Sequence, residues 1–100
     1  MTIDGEALLQ RRLRLPQHVV HRSFVAETVV LNLETGRYHG LNATAGRMLD
    51  ALNGADTVAA AAAEVATEYG EDPAVVQADL IELCRQLLDR QLVEVVGDPR

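Results

Sequence analysis

The sequence predicts an α+β fold in which a three-stranded antiparallel sheet is followed by three helices, as in a winged helix-turn-helix domain. Two observations predict it. Up to Leu41, β-branched residues stand between polar ones and a tight turn joins two such runs, whereas from Asn42 onwards the apolar residues recur at helical spacing. The length of 100 residues and the hydrophobic fraction of 48% suit one domain with a single core.

The three strands are predicted at residues 18–21, 28–33 and 37–41. The second is the strongest, because it contains the β-branched residues Thr28, Val29 and Val30, which suit a half-buried pleated surface. Residues 34–36 connect it to the third strand, and Gly36 supplies the positive φ that a tight turn needs. So small a sheet requires a helical layer over its apolar face.

Each of the three predicted helices begins at a capping residue. The caps are Asn42, Asp56 or Thr57, and Asp72, and the corresponding helices are expected to end near Gly54, Gly70 and Gln91. Pro73 suits the first turn of the last helix. A short final strand is expected at 93–96.

Residues 1–16 are expected to form an N-terminal arm, because Pro16 prevents a helix from continuing. The domain is expected at 17–96, followed by a polar tail at 97–100. The net charge is −6, yet residues 1–22 carry four arginines against two acids. A basic arm of this size is more typical of a solvated tail or a protein contact than of a DNA-binding element.

Catalysis, metals and cofactors are not indicated. Cys84 is the single cysteine, which excludes an internal disulfide, and it lies within an apolar helical pattern where a thiol is a poor nucleophile. His18 and His21 point to opposite faces of a strand, so a metal site with His39 is not expected. Neither a signal peptide nor a membrane span is found, so a soluble cytoplasmic protein is expected.

The third helix is apolar over about half of its circumference, wider than the roughly 100° stripe that covers a core. The residues on this arc are Val76, Leu80, Ile81, Leu83, Cys84, Leu87 and Leu88. Two interpretations stay open: part of the arc faces a partner, or the whole arc is buried between neighbouring elements.

If the strand at 37–41 lies at the sheet edge beside this helix, its free backbone groups form a template for an incoming peptide strand. The alternative function is that of a winged-helix DNA-binding transcription regulator. The last helix argues against nucleic acid as the partner, since it sets Arg85 and Arg90 against the acids Asp79, Glu82 and Asp89.

The segment VVLNLETGRYHGLNATAGRMLDALNG and the residues that follow it to 96 resemble the PqqD-like family, the RiPP recognition elements, which serve ribosomally made, post-translationally modified peptides. The matching marks are an apolar strand, the TGRY turn and a Leu-Asn pair that opens a helix. An Asp-Leu start to a leucine-rich last helix adds to them. The sequence departs from the family at Asn53-Gly54, where Asp-Gly is usual. The TGRY form is most similar to the recognition proteins of lasso peptide systems.

This resemblance implies that the leader segment of a precursor peptide adds as a strand beside residues 37–41 and contacts the last helix. The implied binding residues are Val30, Arg37, Tyr38, His39, Gly40, Leu41, Val76, Asp79, Leu80 and Leu83. It also implies a non-enzymatic adaptor whose further partners are a separate leader peptidase, a cysteine protease, and a cyclase. Proline at His39 is then expected to remove a donor that the leader uses, if that donor faces outwards.

Overall fold

The structure, a computed structural model, describes residues 4–97. It confirms the α+β class: an antiparallel sheet is followed by three helices, of which α2 packs against β3 and β4 while α3 and α4 pack against one another. The elements in chain order are α1 (Gly5–Leu9), β1 (Leu13–Arg14), β2 (Val19–Ser23), β3 (Glu27–Asn32), β4 (Tyr38–Asn42), α2 (Ala43–Gly54), α3 (Val58–Tyr69), α4 (Pro73–Asp89) and β5 (Glu94–Val95).

The main sheet has the strand order β2-β3-β4, so β3 is central and β4 lies at an edge. Burial alternates along β3, where Thr28, Val30 and Asn32 point towards the helices. The β3–β4 turn depends on two residues. The side-chain oxygen of Asn32 accepts hydrogen bonds from the backbone N–H groups of Glu34 and Thr35, and Gly36 adopts a φ of 76°. The predicted turn is therefore confirmed.

The predicted helix caps are confirmed as well. The side chains of Asn42, Thr57 and Asp72 each accept a hydrogen bond from a backbone N–H in the first turn of α2, α3 and α4. Gly70 ends α3 in the left-handed conformation, at φ 66°. The last helix ends at Asp89, two residues before the expected Gln91.

Residues 4–16 belong to the folded unit, contrary to the arm expected at 1–16. Leu8 and Leu13 are 0% and 1% exposed, within the same core as the helices. Leu13 also pairs with Val95, so that β1 and β5 form a second, two-stranded sheet. The expected boundary at residue 17 therefore lies inside the domain, since Pro16 ends a short extended segment and not the fold. Of the expected tail, residues 98–100 lie outside the described part of the chain.

Packing accounts for nearly all of the wide apolar arc on α4. Leu80 and Cys84 are fully buried, and Leu87 is 2% exposed. On the far side of the arc Ile81 lies against α1, where it approaches Gly5. The N-terminal helix thus covers surface that the sequence left unexplained, which favours the second interpretation of the arc. Within residues 4–97, no helix is long and apolar enough to cross a membrane.

Candidate functional site

The free edge of β4 is the first component of the site. The backbone N–H of Asn32 donates to the carbonyl of Arg37 at 2.9 Å, and Val30 stands opposite His39 in the same register. Bonding alternates along an antiparallel pair, so the backbone groups of residues 37, 39 and 41 face β3. Those of Tyr38, Gly40 and Asn42 face outwards. Within the described residues β4 has no strand on that side.

Side-chain direction divides β4 between two faces of the sheet. His39 and Leu41 are partly buried on the face that carries Val30 and the helices. Tyr38 points to the opposite, uncovered face and is 71% exposed. A peptide strand added to this edge would therefore direct every second side chain towards α4 and the others to solvent.

A depression that we call the acidic groove lies at the Asn42 end of the edge, between α2 and α4. It measures about 230 Å³. Its lining consists of Asn42, Thr44, Ala45, Met48, Asp79, Glu82, Leu83 and Gln86. Met48 and Leu83 give it an apolar floor, and the two carboxylates lie on α4, so an apolar or cationic side chain suits it.

A second depression, the arginine pocket, lies at the other end of β4 against the C-terminus of α4. It measures about 580 Å³ and is lined by Asn32, Thr35, Arg37, His39, Asp89, Arg90 and Gln91. Nη1 of Arg90 lies 3.2 Å from Nδ1 of His39. A guanidinium has no acceptor, so Arg90 donates, and His39 is the tautomer with its proton on Nε2.

The structure brings together only some of the predicted site residues. Asp79 and Leu83 line the acidic groove, and Arg37 and His39 line the arginine pocket. By contrast, Val30 and Leu80 are fully buried and Val76 is 4% exposed, so these three residues support the site from the core and do not offer surface to a peptide.

Sequence reasoning missed Glu82, Gln86 and Arg90. With Asp79 and Leu83 they form one helical stripe, because positions i, i+3, i+4, i+7 and i+11 share a face. The signal was present in the sequence. It was overlooked because polar residues on a helix are usually a solvated face.

The other side chains that could act in catalysis or bind a metal lie apart from one another. Nε2 of His18 lies 3.9 Å from Oε1 of Glu34, and Nε2 of His21 lies 3.1 Å from Oδ1 of Asp50. Between residues 4 and 97 no three His, Cys, Asp or Glu side chains are grouped to hold a metal. Burial raises the pKa of the Cys84 thiol to about 12, which disfavours the nucleophilic thiolate.

Solved structures share this fold. The structure of TbiB1 in complex with the TbiA(beta) leader peptide superposes with a TM-score of 0.74 at 29% identity, over 85% of this chain and 99% of that one. The PqqD truncation of Methylobacterium extorquens PqqCD, described as a functional and stand-alone RiPP recognition element, has a TM-score of 0.72 at 26% identity, over 93% and 95% of the two chains. A lasso peptide synthetase B1 complexed with its leader peptide shares the fold, with a TM-score of 0.72 at 22% identity over 83% and 98%.

No curated protein sequence matches the chain. A family model does match, over residues 27–93, which include β3, β4, the three helices α2 to α4 and every residue that lines the two depressions. Its description is coenzyme PQQ synthesis protein D, and the chain belongs to this PqqD family.

Proposed function

We propose that this protein is a non-catalytic adaptor that binds the leader segment of a ribosomally made precursor peptide as a fourth strand on β4. The outward backbone groups of Tyr38, Gly40 and Asn42 beside the two depressions carry the proposal. Support comes from TbiB1, which shares 29% identity and whose structure contains the TbiA(beta) leader peptide.

The expected orientation of the leader is antiparallel to β4. The sheet is antiparallel throughout, and antiparallel pairing is slightly more stable per residue. The N-terminal part of the bound segment then lies near Asn42 and the acidic groove, and its C-terminal part near the arginine pocket. Backbone hydrogen bonds supply affinity, and the two depressions read alternate side chains.

The proposal includes two further partners: a separate leader peptidase of the cysteine protease class, and a cyclase, as in lasso peptide biosynthesis. The TGRY turn at 35–38 supports this assignment. The dispersed histidines and the buried Cys84 support the view that cleavage and ring closure occur on other proteins. The site of action would be the cytoplasm, where ribosomes make the precursor.

A direct binding titration tests the function. The probe is a fluorescein-labelled synthetic leader from the short open reading frame beside the gene, and the readout is anisotropy. Saturable binding is expected, with no affinity for a scrambled leader. Binding to duplex DNA that falls steeply with added salt, without binding to the leader, would instead support the transcription regulator.

A further inference from the structure

Positive charge is concentrated at one end of the β4 edge in a chain of net charge −6. The arginine pocket contains Arg37 and Arg90 and a single acid, Asp89. Within residues 4–97, neither guanidinium has a carboxylate within 4.0 Å, whereas Arg47 lies 2.8 Å from both Glu64 and Glu68. The two cations of the pocket are therefore available to an external anion.

The neighbouring polar groups are arranged to favour an anion. Because Nδ1 of His39 accepts from Arg90, the Nε2–H of the ring remains a donor. The side-chain oxygens of Asn32 and Thr35 already accept hydrogen bonds from backbone N–H groups of the turn. The pocket thus offers mostly donors, and Asp89 is its one anionic group.

The strand register indicates which part of the leader reaches the pocket. A leader residue opposite His39 shares the face of His39, so its side chain points towards the C-terminal end of α4. The residue two positions earlier stands opposite Leu41, nearer the acidic groove. Asp79 and Glu82 in that groove disfavour an acid at the earlier position.

We propose, building on the function above, that the arginine pocket binds the carboxylate of an Asp or Glu side chain of the leader, at the position opposite His39 or two residues later. Arg37 and Arg90 are the charged ligands, and planar guanidinium groups suit bidentate carboxylate binding. The opposite charge at the two ends of the edge sets leader direction: a reversed strand would place the same acid against Asp79 and Glu82.

An acid scan of the leader tests the proposal. Each Asp and Glu of the synthetic leader is replaced in turn by Asn or Gln, and binding is measured for the wild type and for Arg37→Gln, Arg90→Gln and Arg22→Gln. One leader acid is expected to account for about a 10- to 100-fold loss of affinity, the scale of a charge-assisted hydrogen bond. Arg22 lies on β2, at the other edge of the sheet, and is the matched control.

The decisive result is the coupling between partners. In Arg37→Gln or Arg90→Gln, replacing that leader acid is expected to lower the affinity little further, because the charged partner is already absent. In Arg22→Gln the same replacement is expected to lower the affinity as much as in the wild type. Equal losses in all three variants, or a leader whose acids are all dispensable, would overturn the proposal. Arg37→Gln preserves the Arg90–His39 bond, so it remains informative if Arg90→Gln melts early. Failure of the unmodified leader to bind the wild type would instead reject the proposed function.

Discussion

Cys84 lies on the core side of α4 with 0% exposure, so its thiol is expected to be inert in the native protein. Burial raises its pKa to about 12 from the ordinary value of 9.0, and the unfolded chain therefore releases this proton first as the pH rises. The thiol contributes its full stabilisation below pH 9.0, and this contribution decreases towards pH 12. Denaturant titrations are expected to show a steeper fall in stability over this range for the wild type than for Cys84→Ala. Parallel curves for the two proteins would contradict the prediction.

Asp79 is exposed and borders the acidic groove in the second turn of α4, beyond the first turn where the helix dipole favours acids. Asp79→Asn is expected to weaken leader binding by ~1.5–3 kcal/mol, the scale of a hydrogen bond to a charged group, and to leave melting nearly unchanged. Calorimetric titration and thermal melting of the same samples separate these effects. A lowered melting temperature with unchanged affinity would remove Asp79 from the site.

The edge strand β4 offers a matched pair of proline substitutions. Gly40→Pro removes an outward N–H, which an edge strand tolerates, so the protein is expected to fold and to bind the leader more weakly. His39→Pro removes an N–H that faces β3, so it is expected to destabilise the sheet itself. Circular dichroism and leader titration of both variants check the prediction. Full affinity in a folded Gly40→Pro protein would argue against strand addition.

The proline substitution at His39 expected from the sequence therefore does not test leader binding, because the N–H of His39 faces β3. Which alternate residues of β4 face the inner strand follows only from the register. The sequence predicted the strand but not its register. The register is defined at the turn, where the N–H of Gly36 donates to the carbonyl of Asn32 and the N–H of Asn32 donates to the carbonyl of Arg37.

Along α4 the structure separates two leucines that the sequence treated alike. Leu80 is fully buried, whereas Leu83 is 8% exposed and lines the acidic groove. Leu80→Asp is expected to unfold the protein, because a charge would replace a core side chain without a partner. Leu83→Asp is expected to retain more helicity and to lose affinity for the leader. Far-ultraviolet circular dichroism ranks the two, and equal loss of structure would assign Leu83 to the core alone.

The strands of the main sheet, the helices α2 to α4 and their caps could be predicted because each depends on local signals, such as Asn42 and Asp72 before apolar periodic segments. The short elements α1 and β1 were not predicted, because their order comes from packing against the helices. The two depressions could not be predicted in the same way. They depend on where α4 lies relative to the β4 edge, which is determined by packing between residues far apart in sequence. Arg90, for example, contacts His39 across 51 positions.

At the scale of the whole molecule, residues 4–16 pack on the helices and also bind the segment that follows α4. Leu8 of α1 and Leu13 of β1 are buried, the backbone N–H of Val58 donates to the carbonyl of Arg11, and that of Val96 donates to the carbonyl of Arg12. The family match begins only at residue 27, so this segment adds a layer that the matched region does not include.

Removal of residues 1–16 is therefore expected to destabilise the domain strongly, although sequence reasoning placed the boundary there. Leu8→Ala and Leu13→Ala are each expected to cost ~2–5 kcal/mol, because each leaves a cavity in the core. Arg12→Ala, at an exposed position of the same segment, serves as the control and is expected to unfold like the wild type. Urea titrations of these four variants and of the wild type check this prediction. A truncated protein with wild-type stability would show that the core closes without the segment, and that residues 1–16 are the arm that the sequence first indicated.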